Sequence, residues 1–197
     1  MHVRRLAALL LGAWIAGSLF MMAVATGNFR TVDRILKAPA PPVVEYIKEL
    51  DGESARIFLR HLAAEQNRSY FDQWETAQLA LAVALAVTLF FGMNANRMVM
   101  GVSGMMLVLV LVQHWVLTPE LVLYGKAIEF IAPEEFAAER ARFDTYHRAY
   151  SILELVKMGL AVGLSVRLLV YRTQQRHRRV RKQIDPVHHA DHRGVDR

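Results

Sequence analysis

Long uncharged runs alternate along this chain with segments as charged as an ordinary protein surface, and the runs have the length of bilayer crossings. A hydrocarbon core of about 30 Å needs about 20 helical residues at ~1.5 Å each. Leu6 to Thr26 meets this without a charge, Thr76 to Met93 is rich in Ala and Leu, and Met98 to Leu117 is interrupted only by Ser103, Gln113 and His114. The run from Ser151 to Tyr171 has the length and the position of a fourth span. It carries Glu154, Lys157 and Arg167, and ionisable residues inside a span are expensive and mark an inward face. The pattern predicts an all-α fold: an integral membrane four-helix bundle with spans at about 6–26, 76–93, 98–117 and 151–171.

The two longer connections also have helical patterning. After the break Ala38-Pro39-Ala40-Pro41-Pro42, the positions Val43, Ile47, Leu50, Ser54, Phe58 and Leu62 recur at steps of three and four. They predict an amphipathic helix lying against the membrane surface or the bundle top, weakened in its middle by Gly52. In the second connection Thr118-Pro119-Glu120 and Ala132-Pro133-Glu134-Glu135 both read as helix starts, with proline in the first turn and acids at the positive dipole end. The helix begun at Pro133 is expected to run straight into the fourth span. No internal repeat is present. Residues 1–171 then form the membrane domain and 172–197 a basic tail, disordered from Gln183 onward.

Composition agrees with this class. The chain has 197 residues and 22.4 kDa, with 54% hydrophobic residues and a mean hydropathy of +0.20, too apolar for an ordinary soluble or disordered protein. The absence of cysteine excludes disulfides, thiolate metal sites and a cysteine nucleophile. A net charge of +6 would suit nucleic acid, but its distribution reports orientation instead. Arg172, Arg176, Arg178, Arg179, Arg181 and Lys182 follow the last span with no acid among them, which predicts a cytoplasmic C-terminus and contact with anionic lipid headgroups. With four spans the N-terminus is also cytoplasmic, beside Arg4 and Arg5, and so is the turn Asn94-Ala95-Asn96-Arg97. The outer connections are balanced: residues 27–75 carry seven basic and eight acidic side chains, residues 118–150 four and six. The first run also has a signal-peptide reading, with a basic start and Ala23-Val24-Ala25 as a cleavage-like site. Its uncharged length of 21 residues favours a retained span, and charge bias alone is satisfied by both.

Candidate chemistry gathers on the outer side. If the helix continues from Pro133, Phe143, His147, Tyr150, Glu154, Lys157, Ala161, Leu164 and Leu168 fall on one stripe. Glu154 and Lys157 are one turn apart and can pair. Gln78, Gln113 and His114 share their depth. The candidates for a ligand or ion site are therefore His114, His147, Tyr150, Glu154 and Lys157, with His114 and His147 as weak metal ligands. The alternative is that these groups pair across helices and fix the register of the bundle. His147 and Glu154 lie seven residues apart, about 10 Å along a helix, so one ion cannot bind both directly. Gly159 and Gly163 form a GxxxG spacing for close helix packing, and Gly12 with Ala16 and Ala82 with Ala86 offer similar contacts, within the chain or in a homo-oligomer. His188-His189-Ala190-Asp191-His192 reads as solvated tail. No cofactor, catalytic group or nucleic-acid partner is expected, since no nucleophile and base pair is offered beyond His147 with Tyr150 and Glu154, and no aromatic residue interleaves the basic run after Tyr171.

Trp14-Ile15-Ala16-Gly17 with Phe20, Thr118-Pro119-Glu120, and Phe143-x-x-x-His147-x-x-Tyr150 leading into Leu153-Glu154-x-x-Lys157 together resemble a bacterial family of small four-span membrane proteins. That family has no assigned function and is related to the eukaryotic transmembrane protein 205 group. The resemblance covers residues 6–171, apart from the long first connection, and its motifs are short. It implies a multi-pass protein of the bacterial plasma (inner) membrane with the first span retained, and it maps the family's His and acidic positions onto His147 and Glu154. It carries no activity. The expectation is a non-enzymatic membrane protein whose polar outer cluster is structural or binds a small partner; the alternative is a small transporter or a metal- or proton-handling protein using His114, His147 and Glu154.

Overall fold

The computed structural model describes residues 2–38, 44, 51–92, 97–129 and 136–191, with side chains described up to residue 170. The elements are α1 (His2–Lys37), α2 (Gly52–Gly92), α3 (Arg97–Val112), a π turn over Gln113–Leu117, α4 (Thr118–Ala127) and α5 (Ala137–Asp191). No strand occurs among the described residues. Three stretches are long and apolar enough to cross a membrane: Val3–Lys37, Gly52–Gly92 and Arg97–Ala127. The last helix, with its charged residues, is not among the three.

The apolar core is drawn from four helices. Ala7, Leu11 and Trp14 of α1 meet Ala82, Leu85 and Leu89 of α2, Val99, Met106 and Val110 of α3, and Ala161, Leu164 and Leu168 of α5. The residues of α5 in this set lie on the stripe read from the sequence, and Tyr150 and Lys157 are buried on it too. The opposite faces remain apolar as well, with Phe20, Phe91, Leu155 and Leu169 all exposed, as expected of helices whose outer faces meet lipid.

The first connection differs from its expectation. Its helix is not a separate piece: α2 runs unbroken for 41 residues, about 60 Å, so its first half extends the second apolar run away from the apolar core. Phe58 and Leu62 are exposed, which leaves them free to meet the membrane surface but not the bundle top, while Ala55, Ala63 and Asn67 are buried on another face. Small residues let the outer half of α1 approach, and Asn67 ties the two helices: Asn28 Nδ2 donates to Asn67 Oδ1 at 2.6 Å, and Asn67 Nδ2 donates to the Ala25 carbonyl at 3.3 Å. Expected positions Val43, Ile47 and Leu50 lie outside the described residues.

Gly52, expected mid-helix, is where α2 starts, because Asp51 caps it. The Asp51 carboxylate accepts from the Ser54 hydroxyl at 2.6 Å and from the Ser54 and Glu53 amides at 2.8 and 3.0 Å, satisfying donors that a helix start leaves open. Ser54, through its hydroxyl and then its amide, holds the Asp51 carboxyl below the usual carboxylate range. A lowered folded-state pKa adds stability above the ordinary value of 3.8 that is lost as pH falls below it. Amide protection at residues 53–55 should therefore drop below that pH in the parent, and should be low at every pH in Asp51→Ala; unchanged protection in the variant would remove the cap from the account.

The second connection opens on Pro119, within a continuous helical path rather than after a loop. Proline cannot donate, and its ring clashes with the carbonyl four residues back. The chain accommodates this by widening one turn: the Thr118 amide donates to the Gln113 carbonyl, five residues back. The start expected at Ala132 to Glu135 lies outside the described residues. From Ala137 the helix does run on without a break through 151–171. It continues to Asp191, past Gln183. The cations Arg172 to Lys182, expected at lipid headgroups, and the tail histidines lie outside the described side chains.

Candidate functional site

Small-residue packing does not fall where the spacing pointed. A Cβ added at Gly159 or Gly163 meets nothing within 4 Å, and both glycines are exposed, so this GxxxG makes no contact within the chain. The stripe through Lys157 and Ala161 wins the inward position, and the glycines face away from it. Gly12 is equally open. The close approach occurs at Gly17 instead, where Trp74 of α2 fills the space a side chain would take.

Above the apolar core sits a polar layer built by α2, α5 and the π turn. Lys157 is fully buried, and its ammonium donates to Gln78 Oε1 at 2.5 Å and to Glu154 Oε1 at 2.7 Å. Gln78 Nε2 donates back to Glu154 at 3.2 and 3.3 Å, closing a three-member ring across α2 and α5. Trp14 of α1 lies beneath, its ring centroid 5.9 Å from the ammonium, in cation–π range. A charge at this depth is tolerable only with such partners.

A second group lies one turn outward on α2. Glu75, 2% exposed, accepts from the Thr118 hydroxyl at 2.5 Å and sits 3.1 Å from His114 Nδ1. The π turn makes this possible, since it re-aims Gln113 and His114 just before Thr118. Gln113 is buried and its Nε2 donates to the Tyr150 carbonyl at 3.1 Å, tying the turn to α5. Tyr150 is buried edge-on to Phe71, with ring centroids 6.0 Å apart. Trp14 Nε1, Ser18 Oγ, Ser103 Oγ and Gln113 Oε1 are buried without a protein hydrogen-bond partner, so the interior carries polar capacity beyond the network.

The structure thus brings Glu154 and Lys157 together, buries Tyr150 one turn before Glu154 on α5, sets His114 against Glu75, and leaves His147 apart. His147 is exposed and stacks on Phe143 at 5.8 Å. His114, His147 and Glu154 therefore do not converge on one point. Sequence reasoning missed Glu75 as a member. The signal was there: 75, 78, 82, 85 and 89 follow steps of three and four, so Glu75 shares the buried face of α2 with Ala82, Leu85 and Leu89.

Two surface hollows lie outside the layer. One of about 350 Å³ is lined by Tyr124, Ala141, Arg142, Thr145 and Tyr146, the other of about 160 Å³ by residues of α1 and α2 including Asn28, Val32 and Gln66. Neither touches Lys157, Gln78, Glu75 or Glu154. A third ionic group, His61, Glu65 and Arg68 of α2 with Glu129 just after α4, stands about two turns beyond Glu75. No family model, curated protein or solved structure matches the chain.

Proposed function

We propose that this chain is a non-enzymatic, four-span protein of the bacterial plasma membrane, with both termini cytoplasmic, whose buried polar layer fixes the register of its helices. The three apolar helices support membrane residence. The fourth crossing is carried by the contribution of α5 to the shared apolar core, and orientation by the Lys and Arg bias of the flanks. Kinship with the four-span family related to transmembrane protein 205 belongs to the same proposal and rests on the motifs quoted above.

The observation that carries the reading is the closed ring of Lys157, Gln78 and Glu154. Its donors and acceptors are directed at one another, which favours a clasp between α2 and α5 over an open binding site. Apolar packing alone tolerates sliding by a turn, whereas a buried polar set has one register in which its members are satisfied. Gln78→Leu/Glu154→Leu/Lys157→Met tests this. Spin labels on cysteines at the exposed positions Val83 and Val162 should give one narrow distance distribution in the parent and a broadened or split one in the triple variant; the same single distribution in both would contradict the register role.

Proton handling at the outer edge is the second reading, favoured by one specific arrangement. Glu75 and Glu154 set two carboxylates against the single ammonium of Lys157, and the His114 side chain, 32% exposed, touches Glu75 from the solvent side. One further proton balances the layer, and His114 is placed to deliver it. Trp115, with its ring 6.0 Å from that of His114, reports the exchange. A pH-dependent step in tryptophan fluorescence that His114→Gln abolishes would support this reading, and a step unchanged by the substitution would remove it.

A further inference from the structure

The metal ligands suggested by the sequence stay apart, while a different set assembles further out. His61 and Glu65 are four residues apart on α2, so both project from one side of the helix. Glu129, just after α4, closes on them from the other side. One donor atom from each lies within 4.8 Å of the other two, and His61 Nδ1 is 3.0 Å from Glu129 Oε2. Donors around a tetrahedral ion at ~2.0–2.2 Å stand roughly 3.4 Å apart, so this set needs only a small contraction.

The place already attracts a cation. The Arg68 Nη2 atom sits 2.6 Å from Glu65 Oε1 and 2.9 and 3.0 Å from the two oxygens of Glu129. The carboxylates of Glu65 and Glu129 face the one guanidinium of Arg68, and Lys126 acts on Glu65 from beyond ion-pair distance. Arg68 is also a removable occupant, because its side chain reaches from one turn further along α2 and is 19% exposed. His61 and Glu65 are open to solvent at 28% and 45%, which gives an ion a way in, while Glu129 at 11% supplies the rigid wall.

We propose that His61, Glu65 and Glu129 form a binding site for a divalent transition ion of the zinc class, with Arg68 as the resident counter-cation that the metal displaces. One imidazole nitrogen and two carboxylates suit a borderline ion and leave a fourth position to water, whereas Ca²⁺ and Mg²⁺ prefer all-oxygen sets of six or more ligands. Displacing Arg68 frees its charge to solvent and replaces one positive charge by two between the carboxylates. The site is independent of the polar layer and of its role in register.

Zn²⁺ titration of the full-length protein in mild detergent, without an affinity tag and with His177, His188, His189 and His192 replaced by Ala, tests this. One equivalent is expected to bind. Both His61→Gln and Glu129→Gln should weaken it at least tenfold, and Arg68→Gln should tighten it, since Arg68 competes and donates no ligand. Absence of binding, or binding unchanged in His61→Gln, would overturn the proposal. If Glu129→Gln fails to fold, the partly exposed His61→Gln decides alone. A zinc X-ray absorption spectrum showing no imidazole nitrogen in the first shell would also overturn it.

Discussion

Lys157→Met should destabilise the protein by about 3–5 kcal/mol, measured as a loss of thermal or denaturant stability in detergent, because it strips Glu154 and Gln78 of their cation inside the bundle. The cost arises from what is left behind more than from what is removed. With Lys157 gone, Glu154 keeps only Gln78 as a partner, and the Gln78 carbonyl loses its donor. Replacing the whole ring together, as Lys157→Met/Glu154→Leu/Gln78→Leu, should therefore recover most of the loss, since it removes the uncompensated carboxylate and leaves no buried amide without a partner. A triple variant as unstable as Lys157→Met would show that the ammonium contributes through Trp14 and packing instead, and would point to that ring contact as the dominant partner.

Gly17→Ala is the second large expected effect. A Cβ at this position would lie 2.1 Å from Trp74 Cη2 and 2.3 Å from Cζ3, far inside contact distance. The indole is the rigid end of a bulky side chain between α1 and α2, so relief requires the ring or the helices to move. Overpacking of this kind costs typically 1–3 kcal/mol. Combining the change with Trp74→Leu should restore stability to the level of Trp74→Leu alone, because the clash then has no partner. Additive losses in the double variant would place the defect outside the Gly17–Trp74 contact.

The sequence was most informative where one periodicity governs a whole segment. The stripe from Tyr150 to Leu168 is legible because a helix buried on one side must repeat its inward positions at three and four, and Glu154 with Lys157 keeps that repeat while changing its chemistry. The same rule was incomplete on α2, where it marks Phe58 and Leu62, which are exposed, and passes over the buried positions Ala55, Ala63 and Asn67. Close packing of two helices selects small residues, and a hydrophobic pattern does not register them. Gly159 and Gly163 illustrate the converse: the spacing permits close approach, but the competing stripe decides which face turns inward.

Long-range pairs were invisible for a different reason. Trp74 against Gly17, Glu75 with Thr118, and Glu129 with His61 join residues dozens of positions apart, and their meeting depends on how far each helix extends before turning. Continuity of α2 through residues 52–92 sets that length. Glu75 reads in the sequence as one of eight acids between the first two apolar runs, whereas the helix carries it onto the buried face. The π turn was equally hidden: Pro119 signals a disturbance, but only the Thr118-to-Gln113 bond shows that the helix widens instead of stopping.

In the proposed topology α5 crosses the membrane as a fourth span, with the Lys157 layer buried between the helices. The chain contains no cysteine, so each introduced cysteine reports one position. Labelling of Arg56→Cys, Asn96→Cys, Thr145→Cys and Arg193→Cys in intact cells with a membrane-impermeant thiol reagent tests the claim most directly. The account predicts that positions 56 and 145 react from outside while 96 and 193 react only after lysis. Reaction of 145 and 193 from the same side would contradict it, because α5 would then lie along the bundle without crossing.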